Sequence, residues 1–250
     1  LENTGNGKKS YQKSSDCEEQ LNHPNQLLMG LDWRPLPKPK PGFEKRYIEI
    51  FNTLTGKEKP TISIWDRIKG KQPIRKEQLL REWRENSILS YETIHAPMVG
   101  RDKIADDWAL EKYEESDKSL SKEDFLTEYK GYYVIELSPD LDAVPMYMSM
   151  AQDRNVFRAQ FLNDCSHLLG PDLLNQAWGS KLAAESLEYG REIMAIADFE
   201  ATKNNLLYLK EQRTPPDDVE TIESNIHILY SAAKWLIYYS ERGHGYEADF

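Results

Sequence analysis

The sequence predicts an α+β fold that is predominantly α-helical, with a small antiparallel or mixed sheet in the N-terminal half and a helical C-terminal half. Three observations carry this. Short runs rich in β-branched and aromatic residues lie in the N-terminal half, and such residues suit a pleated, half-buried surface. From Asp153 onward apolar residues recur at three- and four-residue steps, the period of a helix face. The 250 residues also include 6 Trp, 14 Tyr and 7 Phe, rings that demand a packed interior and argue against a disordered chain.

Residues 1–26 are polar, aperiodic and rich in Gly, Asn, Ser and Lys, and read as a flexible tail. Trp33–Phe43, "WRPLPKPKPGF", holds four prolines. Their fixed φ and missing N–H predict an extended arm lying across the protein's own surface, anchored by Trp33 and Phe43. A proline-reading domain would recognise the same string. Residues 1–42 are thus tail and arm, and 43–250 form one globular domain with a candidate seam near 138–153.

Arg46–Leu54 alternates, with Tyr47, Glu49 and Phe51 on one face and Ile48 and Ile50 on the other, and reads as a strand. Thr61–Ile68 is the second strand, joined to it in a hairpin through the Gly56 loop. Gly131–Ser138 is the third. Arg75–Ser87 groups Leu79, Leu80 and Trp83 as a helix face, and Asp102–Glu115 turns Ile104, Ala105 and Trp108 inward. Ser121 with Asp124 three residues on approximates a capping box.

Val156, Phe157, Phe161, Leu162, Leu168 and Leu169 share a face in the next helix, which Gly170-Pro171 ends. Pro171 opens another helix, carrying Leu173, Leu174, Ala177, Trp178 and Leu182 on past Ile193. Pro215-Pro216 breaks it. The last helix, Asp217–Ser240, bears Ile222, Ile226, Leu229, Ala233 and Ile237. Residues 241–250, with His244 between two glycines, read as a mobile end.

The net charge of −10 is unevenly spread. Residues 101–150 hold thirteen acidic against six basic side chains, and residues 43–100 eleven basic against eight acidic. Acidity of this order disfavours nucleic acids and anionic membranes, which need positive charge at the contact. It suits a basic protein partner. Arg67–Arg84 is a locally basic strip of seven Lys/Arg and two Glu, and it either faces the acidic strip Asp102–Glu128 within the molecule or leaves it free to dock. No apolar run reaches the ~18 residues a membrane span needs. The chain opens on Leu1 rather than Met, which leaves a removed signal peptide open. The lack of an Asn-x-Ser/Thr site favours a soluble, cytoplasmic protein over an exported one.

Phosphate-binding glycine loops, His-Glu-x-x-His and Gly-x-Ser-x-Gly are absent from the sequence. Cys165 and His167, two apart on a helix, diverge, and Cys165 reads as core filling. Asp140 and Asp142 lack the acidic ladder of a calcium loop. Two cysteines make neither a disulfide framework nor a zinc set, and whether Cys17 and Cys165 pair is open. Neither a metal nor a cofactor is therefore expected.

The leading functional reading is a non-enzymatic, acidic protein-binding module of inhibitor or immunity type, which neutralises a basic partner protein. Its contact residues are Asp106, Asp107, Glu111 and Glu114 on the acidic helix. Arg154 and Arg158, one helical turn apart beside Met146, Met148 and Met150, add a second contact group suited to carboxylates or phosphates. The alternative is an enzyme of unassigned reaction with a site around residues 92–107. There Glu92 orients His95 and Asp102 supplies a further acid, since a His–carboxylate pair performs general acid–base work. A structural account also fits that stretch: Pro97 and Gly100 turn the chain, and Asp102 sits where the helix dipole favours negative charge.

Overall fold

The computed structural model describes residues 30–58, 75–94, 97–134, 137, 156–218 and 220–250. The tail, the Thr61–Ile68 strand with its hairpin, the methionine cluster and the 138–153 seam lie outside the described residues. Within them the fold is α+β and mainly helical. The order is β1 (Asp32–Pro35), β2 (Lys38–Pro39), α1 (Glu44–Leu54), α2 (Lys76–Glu85), β3 (Ser87–Ile88), α3 (Ser90–Ile94), α4 (Lys103–Glu115), α5 (Lys122–Tyr129), α6 (Ser166–Gln176), α7 (Ala183–Asn204), α8 (Ile222–Glu241) and β4 (Tyr246–Asp249). Among the described residues no helix is long and apolar enough to cross a membrane.

The strands form two antiparallel pairs, β1 with β4 and β2 with β3. Trp33 stands opposite Ala248 and Pro35 opposite Tyr246. The C-terminal residues therefore do not fray. Tyr246 is fully buried and exchanges two backbone hydrogen bonds of 2.9 Å with Lys181. His244 is buried too, with its Nδ1 2.9 Å from the Leu36 carbonyl. Two flanking glycines made this look like a loop, whereas they let the backbone enter a crowded site.

The proline-rich segment lies across the surface and is anchored in the core at Trp33 and Leu36, with Phe43 packed on the second cluster and Lys40, Pro41 and Gly42 exposed. Leu31 and Trp33 are buried. The Trp33 backbone pairs with Phe157 (N–H to carbonyl 2.8 and 3.0 Å), and its indole Nε1 donates to the Ala177 carbonyl at 2.9 Å. Around the ring stand Tyr246 at 4.9 Å, Phe157 at 5.4 Å, Tyr189 at 6.0 Å and Trp235 at 6.1 Å, within the range of favourable ring pairs.

Arg46–Leu54 is a helix, not a strand. Tyr47, Ile50 and Phe51 turn inward together while Ile48 is 45% exposed, which is the three-four spacing of a helix face. The deciding contact is tertiary. Tyr47 stacks on Trp83 of α2 at 3.6 Å, and Arg46 grips Glu82 through two bonds of 2.8 Å. The Tyr47 hydroxyl donates to the Pro37 carbonyl, which fastens this helical pair to the proline segment. Of the expected Gly131–Ser138 strand, residues 131–134 form a short backbone pairing with residues 97–99, and residues 135, 136 and 138 lie outside the described residues. Val99 N–H donates to Tyr132 and Gly131 N–H to Val99 at 2.9 Å, and Val134 N–H to Pro97 at 2.8 Å.

The main core lies on the α7–α8 pair. Fourteen of the twenty residues of α8 are buried, on every side of the helix, because it is enclosed by α7, the flanking short helices and β1 rather than resting one stripe on a surface. α7 approaches it closely at Gly190, where a Cβ would come 2.9 Å from that of Leu236. The helix expected to run from Pro171 past Ile193 stops at Gln176 and restarts at Ala183. A second cluster joins α1 and α2 (Tyr47, Ile50, Phe51, Leu79, Trp83). A third joins α4 to the 131–134 segment (Val99, Ala105, Ala109, Tyr132, Val134). In α4 Ala105 and Ala109 are buried and Trp108 packs against the same cluster, whereas Ile104 is 56% exposed.

Two predictions follow from this packing. Trp33→Ala will lower stability by about 3–5 kcal/mol, the usual loss for a large buried ring, with Trp33→Phe intermediate because it keeps ring contact but not the Nε1 bond; urea denaturation reads both. The second concerns acid. Burial holds His244 down at about 4, below the ~6.5 of an unfolded histidine. The unfolded chain therefore binds more protons between these values. Stability is fully present above ~6.5 and falls as pH drops towards 4, by up to ~3 kcal/mol. His227 shifts the same way through burial. Asp32 and Asp164, raised by burial, act in the opposite sense at the acid end. A His244→Gln variant will show a flatter dependence of melting temperature on pH from 6.5 to 5.

Candidate functional site

Two surfaces collect the residues singled out from the sequence. The first is the turn from α3 into α4. Asp102 stands at the N-cap of α4, and its carboxylate receives the Tyr91 hydroxyl at 3.0 and 3.2 Å and the Met98 N–H at 2.9 Å. Asp106, one turn on, accepts the Gly100 N–H at 2.6 Å. These acids fold the loop onto its helix, satisfying backbone donors that a turn would otherwise leave open. Burial first, then the bond to Asp102, pushes the Tyr91 phenol above its ordinary value. Glu92 meets Arg101 at 3.3 Å, and that guanidinium lies 4.6 Å over the Tyr91 ring. Both carboxylates of the alternative catalytic reading thus have structural partners within the loop, and His95 lies outside the described residues.

This loop forms one wall of a cleft of about 540 Å³. Pro35 and Pro37 come from the proline segment, Leu89 and Tyr91 from the α3 region, Met98 to Arg101 from the loop, Lys130 and Tyr133 from the end of α5 and beyond, and Val156 and Glu247 from the C-terminal half. No single motif announces it. Its only sequence trace is the aromatic and turn content of the Tyr91–Arg101 stretch.

The second surface is the α4–α5 hairpin. Asp107 pairs with Lys103 at 2.5 Å, Glu114 with Lys118 at 2.7 Å and Glu115 with Lys112 at 3.0 Å. The Lys118 ammonium draws the Glu114 carboxyl below its usual range. Among the described residues Glu111 has no cation partner, and no ion pair joins α2 to α4 or α5. Leu110, Glu111, Glu114, Glu115 and Lys122 line a shallow groove of about 420 Å³.

The sequence-predicted contacts therefore separate. Asp106 serves the loop, Asp107 is a surface ion pair, and Glu111 and Glu114 share the groove. Arg158 precedes the short helix Ala159–Asn163, with Asp32 as its electrostatic neighbour, and Arg154 lies outside the described residues. Trp83 and Trp108 belong to the smaller cores, Trp108 stacking on Tyr132 at 5.5 Å. Cys165 is buried with its thiol 3.4 Å from the Asn225 carbonyl, and burial raises it above the usual thiol range. Among the described residues no three His, Cys, Asp or Glu side chains are placed to hold a metal ion.

No family model matches the chain, and neither a curated protein nor a solved structure matches it.

The loop geometry predicts a contrast between its two carboxylates. Asp102→Ala leaves the Tyr91 hydroxyl and the Met98 N–H without their acceptor and will cost about 1–3 kcal/mol. Glu92→Gln breaks only an exposed pair and will change stability by no more than about 0.5 kcal/mol. Urea midpoints of the two variants check this.

Proposed function

We propose that the protein is a non-enzymatic binding module that takes a basic partner protein on the α4–α5 hairpin, in the manner of inhibitor or immunity proteins. The observation that supports this reading is the groove between the two helices. Three glutamates, Glu111, Glu114 and Glu115, border an apolar floor at Leu110. Such a groove suits a partner's arginine or lysine, whose aliphatic stem covers the leucine while its charge reaches the carboxylates.

The hairpin's own lysines do not block it. Pairs such as Lys118–Glu114 have side chains 51% and 63% exposed. Exposed pairs of this kind contribute at most about 1 kcal/mol, so an incoming guanidinium displaces them at small cost. The surplus of acid in residues 101–150 would steer a basic partner towards this face, an attraction that salt screens.

The test uses the folded chain and its Glu111→Gln/Glu114→Gln variant as baits for a lysate of the source cells. Salt is set at about 0.05 M and about 0.5 M, where screening lengths differ roughly threefold. A basic protein held by the wild type at low salt, and lost both at high salt and on the double variant, is the expected result. Equal retention by the two baits overturns the assignment to this face.

A further inference from the structure

We propose that the cleft beside the Tyr91–Arg101 loop is a binding site for a small organic monoanion, a carboxylate carried on an apolar or aromatic body. Its volume of about 540 Å³ falls in the range of small-molecule sites, which are mostly apolar with a few placed polar groups. The walls are of that kind. Pro35, Pro37, Leu89, Met98 and Val156 supply apolar surface, and Leu89 is 54% exposed.

The charged groups lining the cleft are mainly cationic, and the cations arrive from three separate places in the chain. Arg34 comes from β1, Arg101 from the turn before α4 and Lys130 from the end of α5, against one lining carboxylate, Glu247. Arg34 meets Asp249 at 2.5 Å, and Arg101 donates to Glu92 from Nη1 at 3.3 Å. A guanidinium has five N–H donors, so each of these pairs fixes the side chain while leaving donors to offer. Lys130 differs from both, because it has no carboxylate partner among the described residues. Its stem crosses Gly100, where a Cβ would come 3.1 Å from the Lys130 Cγ and where φ is +85°. Glycine at this position thus admits both the turn and the lysine at the rim.

The ammonium of Lys130, which has no carboxylate partner among the described residues, is the group that would meet the ligand's negative charge, and the apolar walls match the remainder. The chemistry is shared by a free organic acid and by the C-terminal carboxylate of a short peptide. This site is separate from the hairpin groove and does not depend on it.

The probes are 4-phenylbutyrate and its neutral amide, with acetyl-Leu-Phe bearing a free or amidated C-terminus as the peptide arm. Binding is followed by calorimetric titration of the full chain. At least one acid will bind about tenfold more tightly than its amide, the worth of one charge-assisted contact, and the arm that shows this identifies the source. Lys130→Met will remove the preference by weakening the acid and sparing the amide. Lys130 is exposed, so the variant will fold. Glu111→Gln/Glu114→Gln will bind both ligands as the wild type does. Equal affinity for acid and amide, an unchanged preference in Lys130→Met, or no binding by either acid at about millimolar concentration, the weak limit of useful affinity, overturns the proposal.

Discussion

The burial of one indole organises this molecule. Trp33 lies at the meeting point of β1, the Phe157 segment, α7, α8 and β4, touching a ring from each neighbour and closing its one polar atom on the Ala177 carbonyl. A polar N–H inside an apolar core is tolerated only with a partner in place. The ring and its carbonyl acceptor must therefore be positioned together. The β1–β4 pairing, the break between α6 and α7, and the close α7–α8 approach at Gly190 all converge on that requirement.

Around this centre the smaller cores are attached by hydrogen bonds as well as by apolar contacts such as Tyr133, which belongs to the main core and packs on Tyr91. The α1–α2 pair is tied to the proline segment through the Tyr47 hydroxyl on Pro37 and through the Lys40 N–H, which donates to Asn86 at 2.9 Å. The α4–α5 hairpin is tied through Asp102 and the 97–99 pairing with 131–134. Both surfaces proposed to bind lie on or beside these satellites. Local opening is easier where fewer apolar contacts hold an element, so these proposed surfaces lie where adjustment costs little and the central helices are left undisturbed.

Much of the helical half was legible because its signals are local. Gly170-Pro171, Pro215-Pro216 and the Ser121 cap act within a few residues of themselves, and the structure places a kink, a break and a cap at those points. The acidic face of α4 was legible for the same reason, since Glu111 and Glu114 are one turn apart on one helix, whereas the groove they line with Lys122 of α5 was not. What escaped depends on distant partners. "RYIEIFNTL" satisfies a strand period and a helix period at once, and only Trp83, more than thirty residues away, decides between them. Strands of two and four residues carry no period to read. His244 between glycines resembles a loop until Leu36 is brought beside it. The cleft is the extreme case, because its lining is drawn from separate stretches between Arg34 and Glu247.

The pairing of β1 with β4 also has a consequence for how the chain is made. Synthesis proceeds from the N-terminus, so the strand bearing Trp33 leaves the ribosome about two hundred residues ahead of its partner, Tyr246–Asp249. Over that interval the strand edge waits uncovered, together with an indole whose acceptor and neighbouring rings are still to come. Contacts so far apart in sequence form slowly, and exposed edges of this kind invite association with other chains. The nascent chain is therefore open to such association until Tyr246–Asp249 emerges and pairs with β1.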